Sequence, residues 1–217
     1  MPIKVIITGA TGMVGEGVLL TCLNDPEVAE VLVIGRKHCH ISHPKLKELL
    51  VPDFFSLAEY REQWKGYDAC FFCAGISSVG MKEEQYTRIT YDTTLAFANA
   101  LISENGREMV FCYVSGRHTD STGTSRMMWA CVKGRTENAL LQLPFRDAYN
   151  FRPGFMNPVK GQKNVKGLFY PIIWLFPKLF PSKSLTPEQV GHAMIHAVTK
   201  SYPVKTLEVE DIRKISR

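Results

Sequence analysis

Ile3-Lys4-Val5-Ile6-Ile7-Thr8-Gly9-Ala10-Thr11-Gly12-Met13-Val14-Gly15-Glu16-Gly17-Val18-Leu19-Leu20 decides how this chain folds. A β-branched apolar run leads into Gly9, Gly12 and Gly15 and then into an amphipathic stretch, which is the order strand, tight turn, helix. Glycine permits positive φ and lets the backbone come close to a ligand. A helix starting there offers unpaired N–H groups and the positive end of its dipole, a place for a pyrophosphate. The spacing is G-x-x-G-x-x-G rather than the G-x-G-x-x-G of the common dinucleotide fingerprint. The strand before it and the helix after it supply the context that such a motif needs.

Outward from this unit the chain alternates strands and helices. A strand at Ile3–Thr8 and a helix from near Thr11 to Leu23, stopped by Asn24-Asp25-Pro26, are followed by a strand at Val28–Ile34. A short strand at Leu46–Pro52, a short helix at Ser56–Trp64 and a buried strand at Asp68–Ala74 come next. A long helical pattern covers Lys82–Ser103 and closes at Asn105-Gly106. Met109–Ser115 is a strand, a polar loop runs through Ser125, and Arg126–Leu143 is a helix broken by Pro144. Asp147–Arg152 is the sixth strand. Thr186 caps a helix with Pro187 at its first position, continuing to Lys200, and Val204–Val209 is a last short strand before a polar helix or tail. Continuous apolar strands between helices predict an α/β fold, a doubly wound, mostly parallel sheet with helices on both faces.

A length of 217 residues fits one domain, with residues 155–185 as a cap segment on the substrate side. A net charge of +5, spread without a long basic run, suits a small anionic ligand and gives no argument for nucleic acid. The six cysteines lie mostly among apolar residues and no signal peptide precedes the first strand, so a cytoplasmic protein with reduced thiols is expected. Cys70 and Cys73 have C-x-x-C spacing, but on a strand they face opposite ways, against a redox or zinc pair. His38-Cys39-His40-Ile41-Ser42-His43 could also attract a metal. No carboxylate is near in sequence to complete a set, and none is expected to bind there.

The Thr8-Gly9-Ala10-Thr11-Gly12-Met13-Val14-Gly15 stretch resembles the short-chain dehydrogenase/reductase superfamily, in its atypical and extended branches. The match continues in order to the exit Arg152-Pro153-Gly154-Phe155. Val51-Pro52-Asp53, Gly66-Tyr67-Asp68, Cys73-Ala74-Gly75 and Val132-Lys133-Gly134 look like the Tat-interacting oxidoreductase-like branch, short members that bind NADPH and include regulatory proteins. The resemblance implies a Rossmann sheet binding NAD or NADP. Gly9, Thr11, Gly12, Met13, Val14 and Gly15 would hold the pyrophosphate, Cys73, Ala74 and Gly75 would pass under the ribose, and Pro153 and Gly154 would complete the contacts. Asp53 either contacts the adenine amino group or is simply a turn residue. At the end of the second strand, where an acid would bind the ribose of NAD, stand Arg36 and Lys37. Either Arg36 is a solvated surface residue or its guanidinium meets a 2′-phosphate, which favours NADP(H) over NAD(H).

The same resemblance places catalysis on Ser115, Lys133 and the residue one helical turn before that lysine, which is a tyrosine in the family. Here it is Trp129, whose indole N–H donates a hydrogen bond but shuttles no proton near neutral pH. Ordinary carbonyl reduction therefore needs another proton source, with Tyr86, Tyr91, His118 and water as candidates, or the chain is an NADPH-binding sensor or interaction module. The substrate is an unidentified small molecule. Leu168–Pro181 is too short and too proline-rich to span a bilayer. It is expected to cover the substrate cleft or to form a subunit contact in a homodimer, in preference to lying on a membrane.

Overall fold

The β-branched residues of the first strand fill space on both sides, so that strand sits in the middle of a sheet. In the computed structural model, which describes residues 1–105, 107–157, 162 and 184–217, β1 (Ile3–Thr8) has Val5, Ile6 and Ile7 completely buried. Val5 and Ile7 belong to one apolar cluster and Ile6 to another, as the alternation of side chains along a strand requires. The sheet also contains β2 (Val28–Gly35), β3 (Leu46–Leu50), β4 (Ala69–Phe72), β5 (Val110–Val114) and β6 (Asp147–Phe151). Two further short strands, β7 (Phe155–Met156) and β8 (Ser184–Leu185), pair with each other, and β9 (Thr206–Leu207) joins the main sheet. The main order is β3-β2-β1-β4-β5-β6-β9, and each neighbouring pair is parallel. Strand order reverses between β1 and β4, and the crevice beyond their carboxyl ends is where such sheets take ligands.

Helices α1 (Met13–Asn24), α5 (Pro187–Thr199) and α6 (Val209–Ile215) pack on the Val5 face. On the Ile6 face lie a 3-10 helix at Ala58–Trp64, α3 (Thr93–Asn105) and α4 (Met128–Leu141), and the short α2 (Glu83–Thr87) packs on α4. Helices α1 and α5 approach closely through glycines. A Cβ on Gly17 would lie 2.2 Å from Pro187 Cβ, and one on Gly191 would lie 2.8 Å from Thr21 Cβ. Thr186 caps α5 with a reciprocal Gln189 contact, as the sequence order Thr-Pro indicates.

Three differences from the sequence reading change which elements form or where the loop before α4 ends. The single helix expected over Lys82–Ser103 is α2 and α3 joined by a π-helical turn, Arg88–Asp92. Helix α4 begins at Met128 rather than near Arg126, because Asp120 holds the preceding loop, accepting from the backbone N–H of Thr122 at 2.9 Å and of Ser125 at 2.6 Å. The β7–β8 pair was not foreseen, since two-residue strands carry no periodicity. Of the cap expected over 155–185, only 155–157, 162, 184 and 185 are described, and Leu168–Pro181 lies wholly outside the described residues. Among the described residues no helix is long and apolar enough to cross a membrane.

Candidate dinucleotide cleft

The three fingerprint glycines do three different jobs. Gly9 leaves β1 with φ +72°, and a Cβ there would lie 2.6 Å from Ala74 N and from Cys73 C, so the turn presses directly on the exit of β4. Thr8 Oγ1 joins the same two segments by accepting the Ala74 N–H at 3.2 Å. Gly12 is the extended N-cap of α1, and its N–H closes the turn onto Gly9 O at 2.9 Å. Gly15 lies within the helix. Its missing Cβ would be 2.2 Å from Gly9 O, so its role is to seat the helix against the turn.

This turn floors a cleft of about 630 Å³. Gly9, Thr11, Gly12, Arg36, Lys37, Asp53, Cys73, Ala74 and Gly75, all picked out in the sequence, line it. Arg36 and Lys37 are exposed at the end of β2. Asp53 lines the cleft, and its Oδ1 accepts the Phe55 N–H at 3.1 Å in a local turn, as the turn reading expects. Burial pushes the Cys73 thiol up to about 12, so it stays neutral and acts as a small apolar group.

The other expected contacts lie elsewhere. Met13 and Val14 pack against the apolar core. Pro153 is buried, and its carbonyl accepts the Arg117 N–H at 3.2 Å, tying the exits of β5 and β6 together. Beside it, Arg152 is committed to protein contacts. Its Nε donates to Glu137 Oε1 at 2.9 Å and its Nη2 to Glu137 Oε2 at 2.5 Å, while Nη1 reaches Glu208 at 3.1 Å.

Ser115 and Lys133 come together. Lys133 Nζ donates to the carbonyl oxygens of Ser115 at 3.0 Å and Val114 at 3.4 Å, and sits 5.4 Å from the centre of the Tyr113 ring. Desolvation lowers the ammonium to about 8, against the raising influence of Glu137 one turn along the helix. The Ser115 hydroxyl shares a 2.8 Å hydrogen bond with that of Thr119. Trp129 is half-buried in the first turn of α4, four residues before Lys133. Of the alternative proton sources, Tyr86 is buried and its phenol is raised by that burial, which keeps it protonated. Tyr91 lies beneath the Arg135 guanidinium at 4.8 Å, and His118 is exposed with φ +68°.

Sequence reasoning missed part of the cleft wall. Phe54, Phe55, Arg88, Ile89 and Thr93 also line it. The adjacent aromatics after Asp53 were a legible hint, whereas Arg88 and Ile89 lie in a π-helical turn that the helical pattern does not announce. The histidine-rich loop also needs a correction. Folding brings Glu48 to it, with His38 Nδ1 3.1 Å from Glu48 Oε2 and the Cys39 N–H donating to Oε1 at 2.8 Å. A carboxylate is therefore present, although no metal-holding group of three side chains forms among the described residues.

No family model and no curated protein matches the chain. Solved structures do. A short-chain dehydrogenase from Burkholderia cenocepacia J2315 in complex with NADP aligns at TM-score 0.68 and 14% identity, over 98% of this chain and 92% of that one. Glucuronic acid dehydrogenase from Chromohalobacter salexigens aligns at TM-score 0.68 and 15% identity, over 95% and 76%. UDP-N-acetylglucosamine 4-epimerase from Methanobrevibacter ruminantium M1 aligns at 0.65 and 14%, over 94% and 75%. The chain thus has the Rossmann-like fold of the short-chain dehydrogenase and epimerase structures, and at these identities the likeness is one of fold.

Proposed function

We propose that this chain is an NADP(H)-binding protein of the atypical short-chain dehydrogenase/reductase kind, an oxidoreductase without the usual catalytic tyrosine. The observation that carries the reading is the cleft at the β1–β4 reversal. Its floor is the Gly9–Gly12 turn at the start of α1, and its β2 side carries Arg36 and Lys37 with no acid. The residues fit a dinucleotide. The twelve-residue α1 begins at the cleft, its N-cap Gly12 forming part of the lining, so its free N–H groups would meet a pyrophosphate there. Arg36 and Lys37 would hold a 2′-phosphate and Lys133 the ribose hydroxyls. A bound nicotinamide supplies or accepts the hydride.

Around it, the Ser115 hydroxyl is the group at the end of β5 that would orient a substrate oxygen. Trp129 can donate a hydrogen bond but exchanges no proton there. That substitution also favours a second reading, in which the chain binds NADPH without turning it over, as a sensor or interaction module. The test is calorimetric titration with NADPH and NADH, followed by a screen for oxidation of bound NADPH by carbonyl compounds. NADPH is expected to bind more tightly, and Arg36→Ala to weaken NADPH far more than NADH. Equal dissociation constants for the two cofactors in the unmodified chain would refute the NADP preference. Tight binding with no turnover across a broad carbonyl panel would select the sensor.

A further inference from the structure

The chain makes a strained turn directly after Ser115. The Ser115 N–H donates to Phe151 O at 2.8 Å and the Arg117 N–H to Pro153 O at 3.2 Å, which fixes the exit of β5 against that of β6. His118 then takes φ +68°, a left-handed conformation that is costly for a residue with a Cβ. The backbone doubles back there. The Thr119 N–H reaches Gly116 O at 3.2 Å, and the Thr119 hydroxyl comes to 2.8 Å from the Ser115 hydroxyl. Both residues are buried, Ser115 7% and Thr119 6% exposed. Helix α4 holds the far side of the turn. The Asp120 N–H donates to Ala130 O at 3.1 Å, and a Cβ on Gly134 would overlap Asp120 O, so helix and loop touch through their backbones. Lys133, from the same helix, grips the Ser115 carbonyl at 3.0 Å. The strain at His118 is thus held from two sides, and the contact that it makes possible is the hydroxyl pair.

A hydroxyl donates one hydrogen bond and accepts two, and its hydrogen rotates to suit its partners. The Ser115–Thr119 bond can therefore run either way. With Thr119 as donor, the Ser115 hydrogen is free to donate to a carbonyl oxygen. With Ser115 as donor, its oxygen keeps lone pairs that accept from an alcohol. The two forms of a substrate in carbonyl reduction need these opposite partners. Each bond in such a chain also strengthens the next. Threonine suits the task, because its branched Cβ restricts χ1 and keeps the oxygen in place while the hydrogen turns. Trp129 brings no hydroxyl of its own to Ser115 and Lys133.

We propose that Thr119 is a positioning residue acting through Ser115, its hydroxyl setting that of Ser115 to donate to the carbonyl form of the substrate and to accept from the alcohol form. The inference rests on the oxidoreductase reading above. It makes Thr119 indifferent to cofactor binding and gives it equal weight in both directions of the reaction. It also makes the effect of Thr119 conditional on the Ser115 hydroxyl.

The test is steady-state reduction of 4-nitrobenzaldehyde with NADPH and oxidation of 4-nitrobenzyl alcohol with NADP⁺, in the unmodified chain and in Trp129→Tyr. Calorimetry of NADPH binding and thermal unfolding are run beside it. Thr119→Val, which keeps the shape and removes the hydroxyl, is expected to lower kcat/KM about fivefold in both directions, the weight of one neutral hydrogen bond, with NADPH affinity unchanged. Thr119→Ala removes the same hydroxyl without adding a methyl and should behave alike, so a folding defect in one variant leaves the other to decide. Thr119→Ser should restore the rate. In Ser115→Ala, Thr119→Val should have no further effect, because residues that act as a unit are not additive. A role in loop stability alone would give the same fractional loss with or without Ser115, and that result would overturn the proposal. So would an undiminished rate in both Thr119→Val and Thr119→Ala, or an NADPH affinity that falls as far as the rate. No turnover of this pair in either background also overturns it, and the calorimetry then shows separately whether the cofactor reading stands.

Discussion

Glu137→Gln tests how the Lys133 helix is held. The Glu137 side chain is 1% exposed and that of Arg152 is 14% exposed. The pair is a two-point contact, and Ser121 Oγ donates a further bond to Glu137 Oε2 at 3.0 Å. Glutamine keeps the shape, removes the charge and turns an NH₂ group toward donors. Breaking one partner of a buried pair costs about 3–5 kcal/mol, because the other charge is left without compensation. Arg152 keeps Glu208, whose side chain is 51% exposed, and that places the expected loss at the lower end, about 3 kcal/mol. For a chain of this length the corresponding fall in Tm is about 6–12 °C. Urea unfolding followed by circular dichroism measures the loss, and the double variant Glu137→Leu with Arg152→Met should recover most of it, since an apolar pair of similar volume is often neutral. A second readout reaches the site. Glu137 is the group that opposes desolvation at Lys133, so its removal should carry the Lys133 ammonium below about 8 in an NMR titration of labelled lysine. A stability loss under about 1 kcal/mol, the range of surface pairs, would refute the reasoning, and so would an unmoved Lys133 titration.

Trp129→Tyr should leave NADPH affinity unchanged and raise reduction of small activated aldehydes by about 10²-fold, the lower end of what general acid catalysis contributes. A correctly folded variant with no gain in steady-state rate would show that this helix position does not face the reacting carbonyl. The lowered Lys133 value also predicts a pH dependence of stability. The unfolded lysine titrates near 10.5 and the folded one at about 8, so between them the folded chain binds fewer protons, and this group's contribution to stability rises with pH across that window. Raised thiols and phenols such as Cys73 and Tyr113 act in the opposite direction at high pH, so the comparison with Lys133→Met isolates the lysine. The change in unfolding free energy from pH 8 to pH 10 should be more positive in the unmodified chain than in Lys133→Met, and identical slopes would contradict the assignment.

The sequence by itself determined the sheet and the floor of the cleft. An apolar strand, a glycine turn and a helix in direct succession constrain each other locally, so Ile3–Leu20 could be read without knowing what packs on it. The same holds for Arg36 and Lys37, whose place at the end of β2 follows from counting along one βαβ unit, and for the Thr186–Pro187 helix start, where the capping groups are neighbours in the chain. Tertiary structure decided the parts that join distant segments. Gly15 was read as a ligand contact, and only the fold shows that its missing Cβ makes room for Gly9 O. Glu48 was out of view because ten residues separate it from His38, a distance closed by pairing β3 with β2. Arg152 belonged to a recognisable exit motif, but its partners Glu137 and Glu208 lie 15 residues before it and 56 after it. Arg88 and Ile89 line the cleft from a π-helical turn that the continuous helical pattern over Lys82–Ser103 does not announce. The chain's local rules fix which elements form. Which side chains meet in the cleft is set by contacts between elements, whose energies no local pattern records.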